Sequence, residues 1–393
     1  MKHLIWLITC FWAASTSAGD LEDIIQKHIQ ARGGLENWDI IENLHLSGTF
    51  TAFSQPKPFT LVIGRGNRLY FEHHLGKFQN TIGCDGQKYW WITPLLGYDS
   101  PAILPESARP VARQYMELAT PFFHYQARGI KVQYQGLGEK FGQDGHILEL
   151  TYKDGWQETW VLDQTTCLEL LRISKGFDVG DVVDQQTWFS DFRRVGDVVL
   201  PHLVETEFRT RHRVMEITGV ELNKPPSPNL FKMPFPKKMA PFQSLVGTWN
   251  VDMKYAPFEN VPWSHSKTTA TWELEANGNL FIYKGMEPGF LGPVEVVRQL
   301  SWDTARETYR ATEFNGMTNH IKTYKGQLKE GLLTLDNLSG DTDWEYYGKP
   351  YHEKLIIRDI TKNSFRVEVH FSNDGGKSWR MALELKHTRT PSH

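Results

Sequence analysis

The chain has 393 residues, with 43 Lys and Arg against 46 Asp and Glu and a formal net charge of −3. That balance excludes a basic nucleic-acid surface and a polyacidic tail, and the length exceeds what one ordinary core organises, so at least two modules are expected. The 14 Trp and 22 Phe supply bulk for two aromatic cores, the plainer reading, and also suit a pocket for an apolar ligand.

The N-terminus reads as an export signal over residues 1–18. Lys2 precedes the apolar run Leu4–Ala14, which is too short to span a bilayer, and Thr16-Ser17-Ala18 is a small-residue cleavage site. The mature chain is expected in the periplasm or outside the cell. Leu7-Ile8-Thr9-Cys10 has the form of a lipobox, but Thr9 is a poor residue there, so anchoring at Cys10 is the lesser alternative. Two cysteines then remain, Cys84 and Cys167. An exported compartment permits a bridge between them, and two separate buried thiols are the alternative.

A first module is expected over residues 19–223. Asp20–Arg32 has helical spacing, with Leu21, Ile24, Ile25, His28 and Ile29 on one face, Asp20 as cap and Gly33-Gly34 as stop. His28 is read as a packing residue. Strands follow: Leu44, Leu46, Gly48 and Phe50 alternate with polar residues, and Phe59, Leu61 and Ile63 repeat the period. Gly66-Asn67, Asp85-Gly86, Asp144-Gly145 and Asp154-Gly155 mark hairpins. One interruption stands out. Pro105–Phe123 reads as a helix with Val111, Tyr115, Leu118 and Phe122 on one stripe, crossing the sheet either as core filling or as a lid over a cavity.

Two charged groups follow. Asp178, Asp181, Asp184 and Asp191 lack the spacing of a calcium loop and read as an exposed acidic loop. Arg209, Arg211, His212 and Arg213 read as a solvated hairpin tip, with peripheral contact to an anionic membrane as the sharper alternative.

Residues 224–241, KPPSPNLFKMPFPKKMAP, are rich in proline, which fixes φ and donates no N–H. A stiff extended connector is expected, from which Leu230 and Phe231 can dock on a neighbouring surface. A second module over residues 242–393 carries a series of short strands and no helix of any length, with turns at Asn277-Gly278, Asn315-Gly316, Glu330-Gly331 and Gly375-Gly376. This indicates a closed barrel or a sandwich. Phe365, Val367, Val369 and Phe371 share one face of a strand, and Trp379, Met381, Leu383 and Leu385 share one face of the last; both rows are expected to point inward. Gly247-Thr248-Trp249 lets the chain turn tightly into a first strand whose tryptophan plugs the barrel end. Ser372–Trp379 fits a single Asp-box, too few copies for a propeller. It reads as a hairpin in which Asp374 bonds turn amides with Trp379 packed beneath. No nucleophile elbow, phosphate loop, dinucleotide fingerprint or paired-cysteine motif occurs, and no cofactor or metal is expected.

Two resemblances sharpen this reading. Ala31–Phe50 and Asp191–Phe208, with its Gly196-Asp197 turn and Leu200-Pro201-His202 step, resemble the periplasmic lipoprotein carriers of the LolA/LolB type. That resemblance implies a curved, incomplete antiparallel barrel with a helical lid and a cavity for acyl chains. Leu245–Trp249, Ser372–Trp379 and Lys386–Arg389 resemble the calycin, lipocalin-like barrels, in particular a secreted bacterial family of unknown function. The resemblance implies that Arg389 packs over Trp249 as a structural cation–π lid, and it makes the inward His387 a candidate haem ligand, weighed well below a structural role.

The fold expected is therefore mainly β with a few helices, a half-barrel followed by a barrel. The function expected is binding of a hydrophobic small molecule or acyl chain without nucleic acid. Phe50, Phe71, Trp91, Tyr115, Phe122 and Trp160 are the candidate cavity or lid residues. A hydrolase with an unrecognised polar site and an interaction scaffold with filled interiors are the alternatives.

Overall fold

A computed structural model of the chain describes residues 18–52, 55–178, 180–289, 292–316, 320–339, 344–346 and 348–390. Residues 1–17, on which the expected export signal and Cys10 fall, lie outside them. Two compact units divide the chain: the first runs to Met233 without Asp99–Pro101, and the second takes Asp99–Pro101 and the chain from Pro234 on.

The first unit opens with helices α1 (Ala18–Ala31) and α2 (Leu35–Asp39). Strands β1 (Asn43–Thr51), β2 (Lys57–Gly64), β3 (Arg68–Leu75), β4 (Phe78–Asp85), β5 (Tyr89–Thr93) and β6 (Tyr98–Ile103) form one antiparallel run. After the four-residue helix α3 (Pro110–Arg113), a second run holds β7 (Lys131–Lys140), β8 (Gln143–Thr151), β9 (Gln157–Leu162), β10 (Glu169–Asp178), β11 (Asp181–Val195), β12 (Val198–Phe208) and β13 (Arg211–Leu222). The first and last strands, β1 and β13, pair and fuse the two runs into one curved sheet of 13 strands. Its edges are β6 and β7. The chain between them, residues 104–130, must therefore travel from one edge to the other across the sheet. Tyr115, Leu118, Ala119 and Phe122 on this crossing pack into the same core as Leu44, Leu61 and Leu150.

The crossing is not the continuous helix expected over Pro105–Phe123. A 3-10 turn (Glu106–Ala108) and α3 are its only helical pieces, and turns follow. Pro110 sits at the start of α3, where a missing N–H costs nothing. Pro121 cannot continue a helix, and it pushes Thr120 away from the helical region.

His28 on α1, read as a packing residue, is fully buried. Its Nδ1 donates to the Cys167 carbonyl at 2.7 Å, and Nε2 accepts from the Thr120 hydroxyl at 2.7 Å. Burial lowers its pKa, which suits this neutral tautomer. One turn on, Arg32 pairs with Glu169. Helix α1 is thus tied to the β9–β10 hairpin and to the crossing segment. Cys84 and Cys167 are both free and buried.

Close packing at one glycine gives a stability test. Gly83 on β4 pairs with Trp90 on β5, and a Cβ at Gly83 would lie 2.2 Å from the Trp90 ring. Trp90 cannot yield, because it is buried and its Nε1 donates to the Phe231 carbonyl at 2.8 Å. Gly83→Ala is expected to cost about 1–3 kcal/mol in urea denaturation, as overpacking does; an unchanged midpoint would show that the ring has room to move.

In the second unit a 3-10 helix (Ala240–Leu245) leads into β14 (Gly247–Tyr255), β15 (Ser264–Glu275), β16 (Leu280–Gly289), β17 (Gly292–Asp303), β18 (Thr308–Asn315) and β19 (Lys322–Lys329). Then come β20 (Leu332–Asp336), β21 (Trp344–Tyr346), β22 (Lys349–Arg358), β23 (Ser364–Ser372) and β24 (Arg380–Arg389). Consecutive strands pair antiparallel from β14 to β20. The circle closes through β14 with β24 (Trp249↔Arg389) and β20 with β22 (Leu333↔Ile357), giving a barrel of ten strands with β21 outside it on β22.

The proline-rich segment is not a free spacer. Phe231 is buried in the first unit under the Arg68 guanidinium, 5.2 Å from its ring. Lys238 accepts through its carbonyl from Tyr309 Oη at 2.6 Å, and Met239 joins the barrel core. The expected extended path is broken by turns at 228–231 and 237–239, and the apolar residues between the prolines anchor it.

Candidate binding cavities

One end of the barrel is sealed. Trp249 is fully buried, and its Nε1 donates to the Leu245 carbonyl at 2.7 Å. The Arg389 guanidinium lies 4.2 Å from the Trp249 ring centroid and donates to the carbonyls of Ser244, Val246 and Lys362. Gly247 has φ +133°, and a side chain there would strike the guanidinium at 2.7 Å. Above this plug, His387 stacks on Phe365 with ring centroids 4.0 Å apart. It is core, with neither ring nitrogen hydrogen-bonded, and it does not line the cavity above, so it is no haem ligand in this packing.

The other end encloses a cavity of about 530 Å³. Part of the lining is apolar: Val294, Val296, Val369, Phe371 and Leu383 with Tyr255. The remainder is charged, and Arg298 shares β17 with Val294 and Val296. Arg298 forms a fork on Glu287 (Nη2 to Oε2 2.7 Å) and donates through Nε to Glu313 at 2.6 Å. Lys322 Nζ bridges Glu353 at 2.6 Å and Glu313 at 3.3 Å, and Tyr324 Oη donates to Glu353 at 2.7 Å. Burial alone would raise the Glu313 pKa; the charges of Arg298 and Lys322 overcome it and hold the carboxyl at about 2. Burial likewise opposes the Lys322 charge, and Glu353 and Glu313 outweigh it and raise its pKa.

None of these charged residues was singled out from the sequence, although the signal is present. On β16 the inward positions are Phe281, Tyr283, Gly285 and Glu287; on β17 Val294, Val296, Arg298 and Leu300; on β18 Tyr309, Ala311 and Glu313; on β22 Glu353, Leu355 and Ile357. A charge in the inward register of an alternating strand is the mark of a buried polar site.

The row expected on the last strand is broken. A bulge between Val369 and His370 pairs Val369 with Leu383 but His370 with Met381. Leu383 and Leu385 face inward, whereas Met381 and Trp379 turn outward, and Lys354 Nζ lies 4.0 Å over the Trp379 ring. Asp374 accepts from the amides of Lys377 and Ser378 at 2.9 and 3.0 Å and from the hydroxyls of Ser372 and Ser378 at 2.7 and 2.6 Å. These bonds hold its pKa well below the usual carboxylate range.

In the first unit Phe50, Phe71, Phe122 and Trp160 are buried, and Trp91 and Tyr115 are half-buried. They join into ring contacts: Phe50–Phe71 at 5.7 Å, Phe71–Tyr115 at 4.4 Å and Phe122–Trp160 at 5.7 Å. The cavity beneath the crossing segment measures only about 140 Å³, and of the six only Tyr115 and Trp160 line it. The remaining four are packed core or, for Trp91, on β5 away from it. The aspartates expected in an exposed loop lie on strands, Asp178 buried at the end of β10 and Asp181, Asp184 and Asp191 on β11, and they meet the basic run: Arg209 pairs with Asp181 at 2.7 Å, and Arg211 lies 3.3 Å from Asp178. Among the described residues no cluster suited to a metal ion occurs.

Residues 237–389 match the model of a family described as a protein of unknown function, DUF1579. No curated protein matches the chain. Similar solved structures include a LolA superfamily protein from Nitrosomonas europaea, at 13% identity and TM-score 0.38, covering 54% of this chain and 97% of that one. A DUF1329 family protein from Desulfovibrio piger is similar at 12% identity and TM-score 0.35, covering 54% and 96%. A DUF3598 family protein of unknown function from Nostoc punctiforme is similar at 10% identity and TM-score 0.23, covering 93% and 98%. The family match over residues 237–389 fits the resemblance of the C-terminal module to a family of unknown function.

Proposed function

We propose that the chain is an exported binding protein for a hydrophobic or amphiphilic small molecule, and that the ligand occupies the C-terminal barrel. The observation that carries this reading is the barrel cavity of about 530 Å³ with its partly apolar lining. Its volume falls in the range of small-molecule sites, roughly 300–1,000 Å³, whereas the first unit's 140 Å³ falls below it. Burial of ligand surface against Val296, Val369 and Leu383 supplies the driving force, at about 25 cal/mol per Å² before association costs. Export rests on the signal segment of residues 1–18.

Native mass spectrometry of the full chain, purified without detergent and extracted with organic solvent, tests this. A reproducible ligand mass is expected. Val369→Trp, which fills the cavity from its apolar lining, is expected to remove that mass while the far-UV circular dichroism of the barrel persists. A clean apo mass that also refuses added decanol and decanoate would overturn the reading.

A further inference from the structure

Arg172 on β10 is 6% exposed and has no carboxylate partner among the described residues. Its hydrogen bonds are two long ones to neutral oxygens: Nη1 lies 3.4 Å from the Gln114 carbonyl and Nη2 3.5 Å from Thr187 Oγ1. Its Nε has no partner. Ordinary N–H···O bonds centre near 2.9–3.0 Å, so this guanidinium, with five donors, is left close to unsatisfied. Its carbon sits 5.7 Å from the Trp160 ring and 5.9 Å from the Phe189 ring, which fixes its plane without neutralising it. The other charges at the same cavity are taken: Arg32 pairs with Glu169, and Glu117 pairs with Arg128 at 2.8 Å. Buried charges in folded proteins are paired, because an uncompensated one is costly. A guanidinium kept bare at a cavity wall is the signature of an anion that comes from outside.

We propose that Arg172 is the anchor of a second ligand site, in the first unit, that takes a carboxylate or phosphate oxyanion. The surroundings complete such a site. Thr187 Oγ1 and Thr206 Oγ1, 3.4 Å apart, line the cavity beside Arg172 and supply hydroxyl donors. Arginine's planar fork matches the two oxygens of a carboxylate or phosphate. Leu44, Leu61 and Met215 line the same cavity and give an apolar neighbour for the first carbons of an attached chain. The chemistry shared by a fatty acid, a phospholipid head and free phosphate is this oxyanion, and the volume of about 140 Å³ suits a head group. The site is independent of the barrel cavity.

Isothermal titration of the full chain carrying Val369→Trp, which keeps the barrel out of the reading, tests it with octanoate, octyl phosphate, inorganic phosphate and octylamine at one ionic strength. The anions are expected to bind at least tenfold more tightly than octylamine. Arg172→Gln is expected to weaken the anions at least tenfold, and Thr187→Val, a milder change should the first variant fail to fold, about threefold. Inorganic phosphate binding as tightly as octyl phosphate would assign the site to a free oxyanion; a gain from the chain would assign it to an amphiphile head. No anion binding, equal binding of octylamine, or anion affinities unchanged in Arg172→Gln and Thr187→Val would overturn the proposal.

Discussion

Arg298→Met is expected to destabilise the barrel by about 3–5 kcal/mol in urea denaturation, the cost of leaving buried carboxylates without their counter-ion. Arg298 is the shared partner of Glu287 and Glu313, and all three side chains are buried. The intact cluster is not itself strong evidence for stability, because desolvating three ions offsets most of their attraction. Removing one member is another matter. Glu287 loses both of its bonds to the guanidinium, and Glu313 keeps only the longer contact to Lys322 at 3.3 Å. The double variant Arg298→Met with Glu287→Leu is therefore expected to recover part of the loss, since it removes an uncompensated charge along with its former partner. A loss below about 1 kcal/mol for Arg298→Met alone would mean that water reaches these carboxylates from the cavity and that the wall is wetter than its burial implies.

The same cluster shows where sequence reasoning stops. Strands of the barrel are legible because their signals are local: alternation in Phe365–Phe371 and turn residues at Asn277-Gly278 and Glu330-Gly331 mark elements close to β23, β15–β16 and β19–β20. What the charged residues do depends on register across strands. Arg298 stands opposite Glu313 and Glu313 opposite Lys322 on consecutive strands, and Glu353 on β22 joins them through the β20–β22 pairing that closes the circle. Arg172 is hidden for a related reason. In Leu170-Leu171-Arg172-Ile173 it passes for the polar side of a half-exposed strand, and only the crossing segment above the sheet buries it. That segment misleads as well. The stripe of Val111, Tyr115, Leu118 and Phe122 has helical spacing, yet Pro121 forbids the helix, and these residues still reach the core through turns. The outward turn of Trp379 depends on a one-residue bulge at Ala382, which alternation cannot foresee. The six aromatics of the first unit are identifiable as apolar and inward; whether they line a space or fill it depends on volumes that no spacing encodes.

Acid should destabilise both units well above the carboxylate range. Burial pushes the pKa of His73 in the first unit, and of His387 in the second, down to about 3. Each ring is stacked on a phenylalanine, His73 on Phe71 at 4.4 Å and His387 on Phe365 at 4.0 Å, and His387 has no hydrogen bond at either nitrogen. In the unfolded chain both titrate near the ordinary histidine value of 6.5. Below that pH the unfolded state takes up a proton that the native state refuses, so stability falls as pH drops from about 6.5 towards 3. The loss is about 2 kcal/mol per histidine between pH 7 and pH 5 by linkage. Glu313 acts in a lower window. Its folded pKa of about 2 lies under the ordinary glutamate value of 4.5, so its contribution is complete above pH 4.5 and is lost as pH falls towards 2. The two windows separate the causes. His387→Phe keeps an aromatic ring on Phe365 and removes the proton acceptor, so its barrel transition, followed by calorimetry, should lose its pH dependence between 6.5 and 5 while retaining the steeper fall below 4.5. A wild-type slope in that variant would mean that His387 reaches water and that the barrel core beneath the cavity is open.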